Sequence, residues 1–115
     1  MRDRFLDAYL EAAVFTLPDD EDSKGQNGFA PEAIAQATRE CAAFQEAASD
    51  LRLNLDDASA GHDFWLTRNR HGAGFWDRGL GMAGEMLTDL AHKTGERDLY
   101  AGDDGYLDFL PGATP

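Results

Sequence analysis

Residues 62–79 read HDFWLTRNRHGAGFWDRG, and the fold of this chain depends on how this stretch is arranged. It contains both tryptophans of the chain, two of its three histidines and three of its ten basic residues. The aromatic and branched residues of DFWLTR predict a strand, residues 69–74 predict a turn, and GFWD predicts a short second strand. Neighbours on a strand face opposite sides of the sheet. We therefore expect one member of each pair, Phe64–Trp65 and Phe75–Trp76, to enter the core and the other to stay at the surface.

Two helices are predicted before this stretch. Leu6, Leu10, Ala13 and Leu17 follow one another at spacings of four and three, which predicts a helix over residues 3–17 that ends at Pro18. A second helix is expected from about Pro31. Its apolar seam consists of Ile34, Ala37, Cys41, Phe44, Ala48, Leu51 and Leu55. This seam fits packing within the chain and equally packing across a homodimer, and it predicts that Cys41 is a small buried apolar residue.

After the stretch, a third helix and a hairpin are predicted. The third helix is expected over residues 82–94, with a buried face made of Ala83, Met86, Leu87, Leu90 and Ala91. The sequence DLYAGDDGYLDFL at residues 98–110 predicts a hairpin that turns near Asp104–Gly105. The predicted fold class is α+β, with three helices packed on one face of a small antiparallel sheet. The 115 residues fit one domain, with an acidic helical part over residues 1–60 and a sheet-plus-helix part over residues 61–110.

Charge is the strongest signal of the composition. The chain has 22 Asp and Glu against ten Lys and Arg, a formal net charge of −12. A field of this sign disfavours direct binding to nucleic acid and favours a basic protein partner. The single cysteine, Cys41, excludes an intramolecular disulfide. No apolar run reaches transmembrane length, and an acidic residue occurs too early in the chain for a signal peptide. These features predict a soluble, cytoplasmic protein with no membrane partner.

Two patterns imitate known ligand sites, and each is flawed. GLGMAG at residues 79–84 has the spelling of a dinucleotide-binding turn, but the predicted strand before it is short and the chain after it has no room for a βαβ unit. Asp20, Asp22, Lys24 and Glu32 imitate a calcium loop, but a cation stands at the fifth position and the bidentate acid comes one residue late. The simpler interpretation of GLGMAG is a turn followed by the start of a helix. The simpler interpretation of the calcium-like pattern is an acidic loop.

Catalytic and metal-binding constellations are not expected. Ser23, Ser49 and Ser59 all lie in predicted loops or helices, and none sits in a nucleophile elbow. The potential metal ligands lack the tight spacing of a metal site; they are His62, Asp63, His71, Asp77 and His92. We therefore predict that the protein is not an enzyme and that it uses no cofactor and no metal.

Two surfaces are candidates for binding a partner. On the first predicted helix, carboxylates recur every fourth residue on one face, and a run of four more follows Pro18. This acidic set consists of Asp3, Asp7, Glu11, Asp19, Asp20, Glu21 and Asp22. Carboxylates four residues apart repel one another, so their presence favours a binding role over a folding role. The second candidate is an aromatic and basic island made of Trp65, Arg68, Arg70, Trp76 and Arg78. A folding motif, with packed aromatics and arginines paired to nearby acids, is the other interpretation of this island.

HDFWLTRNRHGAGFWDRG, followed by a short helix and DLYAGDDG, resembles a family of small acidic proteins found in bacteriophages and prophages. The likeness covers about residues 60–107, with a weaker likeness at FLDAYLEAA. The family carries glycine where this chain has Arg70, so the turn is expected to differ here. The resemblance supplies no reaction and no catalytic residues, and it implies a phage accessory context.

In that context the leading hypothesis is a phage-encoded inhibitor of a host defence system, of the anti-CRISPR or anti-restriction type. The acidic set would act as a mimic of DNA phosphates and occupy the basic, nucleic-acid-binding surface of a protein in the defence complex. The alternative is a non-enzymatic phage accessory protein that binds a host or phage protein through the island at residues 62–79.

Overall fold

The structure, a computed structural model, describes residues 3–17, 27–51, 55–71, 73–102 and 104–109. Its elements, in chain order, are α1 (Arg4–Phe15), α2 (Pro31–Ala47), α3 (Asp57–Arg68), a 3₁₀ turn (Phe75–Asp77), α4 (Met82–Lys93), β1 (Leu99–Ala101) and β2 (Leu107–Phe109). The α+β class and the small antiparallel sheet are confirmed. The expected three helices are a miscount, because a fourth helix, α3, occupies a segment that was predicted to be a strand.

α1 and α3 run parallel and form the most extensive contact between helices. Near the start of α1, Phe5 packs against Phe64 with ring centroids 6.0 Å apart, and beyond its end Thr16 accepts a hydrogen bond from the indole of Trp65. Gly61 allows the two backbones to approach closely, because a Cβ at this position would lie 2.1 Å from the carbonyl oxygen of Phe5. This glycine therefore sets the distance between the two helices.

The prediction that DFWLTR forms a strand is wrong. Asp56 begins α3, since its Oδ1 accepts a hydrogen bond of 2.7 Å from the backbone N–H of Ser59, and the helix continues to Arg68. All residues from 63 to 68 are buried, including the polar Asp63, Thr67 and Arg68, so this part of the helix has no exposed face. The expected boundary at residue 60 lies inside α3, and residues 61–68 belong to a helix rather than to the sheet.

GFWD, predicted as a second strand, forms the 3₁₀ turn instead. Phe75 is buried and Trp76 is exposed, as expected of this pair. The pair Phe64–Trp65 differs, because both of its side chains are buried in α3. The predicted turn after this helix is present at Asn69 and Arg70.

An aromatic cluster joins the helices into one core. Phe44 of α2 stacks on Phe64 at a centroid distance of 4.2 Å and on Phe75 at 5.7 Å. The predicted seam of α2 is confirmed at Ala37, Cys41, Phe44 and Ala48, all of which are buried. The helix ends at Ala47, however, and does not extend to Leu55. Burial also raises the pKa of the Cys41 thiol, so this residue stays a protonated, apolar core residue.

α4 begins and ends within a residue of the prediction, but its buried face differs. Leu87 and Ala91 are buried as expected, whereas Met86 is 48% exposed. Gly84 lies on the buried side, where a Cβ would come within 3.0 Å of the carbonyl oxygen of Phe75. The 3₁₀ turn thus packs directly against α4 and shifts the buried face towards Gly84 and away from Met86.

The predicted hairpin is confirmed. β1 and β2 pair antiparallel with Tyr100 opposite Asp108, and the turn contains Asp104 and Gly105. Leu107 and Phe109 face the core, and the ring of Phe109 lies 5.9 Å from that of Trp65. The sheet thus covers the end of the α1–α3 contact and leaves its other face in solvent.

Candidate functional site

A groove with a volume of about 560 Å³ is bordered by α1 and α3. Its walls are formed by Ala8, Glu11, Leu55, Ala58, Ser59, His62, Asp63 and Arg78. The groove contains a member of each candidate surface, namely Glu11 of the acidic set and Arg78 of the island. We therefore treat this groove and the acidic surface around it as the candidate functional site.

An ion pair between the exposed Arg78 and the buried Asp63 forms one wall of the groove. Arg78 donates to Asp63 through Nε at 2.9 Å and through Nη2 at 2.7 Å, and the Asp63 side chain is almost fully buried. The hydrogen bonds to Asp63 raise the pKa of the Arg78 guanidinium, and they outweigh the opposing effect of its partial burial. These two hydrogen bonds fix the plane of the guanidinium. The part of the Arg78 guanidinium that is not bonded to Asp63 is therefore presented to the groove in one orientation.

Two polar residues of α3, Ser59 and His62, belong to the groove wall. Ser59 hydrogen-bonds Asp56 through both its backbone and its side chain, which lowers the pKa of the Asp56 carboxyl. Ser59 therefore takes part in the cap at the start of α3.

The structure places the α1 members of the acidic set along one side of the helix, but it gives one of them a role in folding. Asp3 caps α1, since its Oδ1 accepts a hydrogen bond of 2.7 Å from the backbone N–H of Leu6. Asp7 is half-buried in the first turn, and Glu11 is exposed at the groove. The remaining members, Asp19, Asp20, Glu21 and Asp22, lie outside the described residues.

Two acids that the sequence analysis did not select lie close to this row. Asp56 and Asp57 are at the start of α3, and this end lies near the start of α1, since Gly61 contacts the backbone of Phe5 and the charge of Arg4 acts on Asp56. Both are exposed. The pattern Asp56-x-x-Ser59 is a helix-start signal, but the strand predicted from Asp63 left no room for a helix after it.

The structure separates the residues of the island. Trp65 and Arg68 are buried, whereas Arg70 and Trp76 are exposed, with Trp76 at 55%. Trp65 donates a hydrogen bond of 2.9 Å to Oγ1 of Thr16. Arg78 lies between these extremes, with its charge held by Asp63. The five residues therefore do not form a single binding face.

Arg68 is the centre of an internal network. Its Nε and Nη2 donate to the carbonyl oxygens of Gly95 and Thr94 at 2.8 and 3.1 Å, and its Nη1 donates to the hydroxyl of Tyr9 at 3.0 Å. Nη1 also pairs with Glu40, which in turn accepts two hydrogen bonds from Arg97. Sequence analysis missed Glu40. A buried arginine requires a carboxylate partner, but many acids of this chain could have supplied it.

This internal pairing changes the charge of the surface. Of the seven Lys and Arg among the described residues, Arg68, Arg78 and Arg97 are held in ion pairs with Glu40 and Asp63. Outside these pairs, the exposed bases of the described residues are Arg4, Arg39, Arg70 and Lys93. Few bases are thus left to offset the exposed acids, and the surface is strongly negative.

The described residues offer no further ligand site of the types considered from sequence. No three His, Cys, Asp or Glu side chains among them lie close enough together to hold a metal ion. GLGMAG forms a turn and the start of α4, and the described segment before it is a 3₁₀ turn rather than a strand. Most of the calcium-like loop lies outside the described residues. No helix of the described part is both long and apolar enough to cross a membrane.

Comparison with models of protein families, with curated proteins and with solved structures gave no match to this chain.

Proposed function

We propose that this protein binds the basic, nucleic-acid-binding surface of a partner protein and keeps nucleic acid away from that surface. The observation that carries the proposal is that Arg68, Arg78 and Arg97 are engaged in ion pairs with Glu40 and Asp63, in a chain whose net charge is already −12. A surface of this sign attracts a basic groove and repels nucleic acid. The resemblance to phage proteins favours a partner in a host defence complex.

The joined ends of α1 and α3 are the part of the surface best suited to this role. Asp3 and Asp7 are at the start of α1, and Asp56 and Asp57 are at the start of α3, where Asp56 is close enough to Arg4 of α1 to feel its charge. Glu11 continues the row along the groove. Four residues of a helix span about 6 Å along its axis, so the carboxylates form a regular array. The helix caps use only part of the hydrogen-bonding capacity of Asp3 and Asp56, because each carboxylate has further lone pairs that can accept from a partner.

A second candidate function is supported by Trp76. This tryptophan is 55% exposed and follows the buried Phe75, so it could anchor a protein partner as a phage accessory protein would require. Affinity for such a partner would depend on apolar contact, and it would change little with salt concentration. Binding through the acidic row would weaken steeply as salt rises.

The proposal is tested by plating phages on hosts that each carry one CRISPR or restriction system and express the protein. We expect the wild-type protein to raise the efficiency of phage plating by orders of magnitude in at least one host. Glu11→Lys combined with Asp20→Lys and Asp22→Lys should abolish this effect. Asp3 is left unchanged because it caps α1.

The matched control combines Glu46→Lys, Glu85→Lys and Asp89→Lys, which changes the net charge equally at exposed positions of α2 and α4. It should retain the effect, and thermal melts should show both triple variants folded. Failure of the wild-type protein in every host would contradict the defence role. A Trp76→Ala variant that loses the effect while the acidic variant keeps it would favour the second function.

A further inference from the structure

The outer face of the hairpin has a composition that differs from the rest of the surface. Tyr100 and Asp108 are directly paired across the two strands, and Tyr106 lies two residues before Asp108, so all three side chains stand on the same face. The opposite face carries the buried Leu107 and Phe109. Tyr100 and Tyr106 are 37% and 38% exposed, so both rings are accessible to a ligand.

These side chains border an open pocket of about 440 Å³. Its walls are Ala30, Tyr100, Gly102, Asp104, Tyr106 and Asp108. Among the described residues, the walls therefore include two phenol rings and two carboxylates but no basic residue. Aromatic faces attract cations through the ring quadrupole, and carboxylates add a charge of the complementary sign. An anionic or purely apolar ligand would gain neither contribution.

The pocket is held in place by hydrogen bonds on two sides. Within the hairpin, the Gly102 N–H donates to the carbonyl of Tyr106 at 2.8 Å. On the other side, Asn27 donates to the carbonyl of Asp104 through its side chain at 2.9 Å, and the backbone N–H of Ala30 donates to the carbonyl of Leu107 at 2.8 Å. A pocket built on fixed backbone loses little conformational entropy when a ligand enters.

Both carboxylates retain an oxygen for a ligand. Oδ1 of Asp104 accepts from the backbone N–H of Tyr106 at 3.0 Å, and Oδ1 of Asp108 accepts from that of Phe109 at 2.9 Å. These bonds orient the side chains, and Oδ2 of each carboxylate can accept from a bound donor. A planar guanidinium fits best, because it can stack on a phenol ring and donate to a carboxylate at the same time.

We propose that this pocket binds an arginine side chain of the partner protein. The inference deepens the proposed function and rests on it for the nature of the partner, since nucleic-acid-binding surfaces are rich in arginine and lysine. The hairpin then supplies a specific anchor, whereas the acidic row supplies long-range attraction. The pocket itself can be tested without the partner.

The test is a titration of the full-length, ¹⁵N-labelled protein with Nα-acetyl-arginine amide, followed by NMR. We expect saturable shifts, of millimolar affinity, at the amides of Tyr100, Gly102, Tyr106 and Asp108. Nα-acetyl-citrulline amide, which has the same shape without the charge, should cause no saturable shifts. Tyr106→Leu and Asp108→Asn should each weaken binding by about fivefold.

Two variants control for the aromatic ring and for general charge. Tyr106→Phe keeps a ring and should retain the affinity, and Asp89→Asn removes an exposed acid from α4 and should have no effect. Shifts spread over the whole acidic surface, or equal binding by the Tyr106→Leu protein, would overturn the proposal. Saturable binding of arginine by a protein that inhibits no defence system would leave the pocket standing and contradict the proposed function alone.

Discussion

Trp65 is buried between α1, α3 and the hairpin, and its indole N–H donates to Thr16. Removing this side chain leaves a large cavity, so we expect Trp65→Ala to lower the free energy of unfolding by about 3–5 kcal/mol. Trp76 belongs to the same sequence motif, but it is more than half exposed, and Trp76→Ala should change stability by less than about 0.5 kcal/mol. Urea unfolding of the two variants measures both values. A large loss for Trp76→Ala would mean that its ring packs on the protein.

Arg70 adopts a left-handed backbone conformation, with φ of 57°. A Cβ in this region costs about 1–2 kcal/mol, and glycine avoids that cost while losing some entropy on folding. We therefore expect Arg70→Gly to raise the free energy of unfolding by about 0.5–1 kcal/mol. Arg70→Ala is the control, because it removes the charge and keeps the Cβ. If alanine stabilises the protein as much as glycine, the effect comes from charge and not from the backbone.

At the scale of elements, the contact of α1 with α3 depends on Gly61. A Cβ at this position would lie 2.1 Å from the carbonyl oxygen of Phe5, so Gly61→Ala must push the helices apart. We expect the free energy of unfolding to fall by about 2 kcal/mol, even though alanine favours the helical conformation more than glycine does. Thermal melts provide the measurement.

Gly84→Ala is the matched comparison for this prediction. Gly84 is also a buried helical glycine, but its added Cβ would be 3.0 Å from the carbonyl oxygen of Phe75, which a small shift can relieve. Gly84→Ala should therefore lower the free energy of unfolding clearly less than Gly61→Ala does. Equal effects of the two substitutions would show that helix separation at Gly61 is not the cause.

Elements with local signals were predicted well. Pro31 marks the start of α2, Asp104–Gly105 marks the hairpin turn, and α4 ends within a residue of the expected place. α3 was missed because its aromatic half is buried on nearly every side. A helix in that environment has no solvent-exposed stripe, since even Asp63, Thr67 and Arg68 are buried, and its branched and aromatic residues then resemble those of a strand.

At the scale of the whole molecule, one charged network ties the helices together. Arg68 of α3 contacts Tyr9 of α1, Glu40 of α2 and the carbonyl oxygens that follow α4. Burial alone raises the pKa of Glu40, but the hydrogen bonds from Arg97 and the charge of Arg68 outweigh it. The pKa of this carboxyl therefore lies below its ordinary value of 4.5.

A lowered pKa in the folded state means that the ion pair stabilises the protein fully above about pH 4.5. That contribution is lost as the pH falls through the folded-state pKa. Glu40→Gln removes the charge opposite the buried Arg68 and should cost about 3 kcal/mol near pH 7. The difference from the wild-type protein should begin to shrink as the pH falls below about 4.5, because the carboxyl then becomes protonated in the unfolded state. It should be lost once the pH is below the folded-state pKa, where the carboxyl of the folded protein is neutral as well.

Urea unfolding of both proteins at several pH values measures this difference. Glu46→Gln serves as control, since Glu46 is an exposed acid of the same helix and its loss should cost less than about 0.5 kcal/mol. A difference between Glu40→Gln and wild type that stays constant down to about pH 3 would mean that the charge of Glu40 does not carry the effect.

The candidate sites were predicted only in part. Glu11 and Arg78 were selected from the sequence, but nothing in their positions indicated that they share a groove. The spacing of Tyr106 and Asp108, two residues apart, was visible in the predicted hairpin. The pocket also needs Ala30, however, which comes from a distant segment of the chain. Sites formed between elements require the packing of those elements to be known.

The sequence by itself determined the excess of acid, the fold class, the seam of α2, and the hairpin with its turn. These features follow from composition or from residues only a few positions apart. Proline, glycine and the spacing of apolar residues indicate them directly. Only the tertiary structure decided that residues 62–68 are helical, that Trp65 and Trp76 differ in burial, and which arginines pair with Glu40 and Asp63. Burial and ion pairing depend on residues far apart in the chain, as with the 28 positions that separate Glu40 from Arg68. No local pattern encodes such a contact, because its free energy arises only when the helices have packed and water has been excluded from between them.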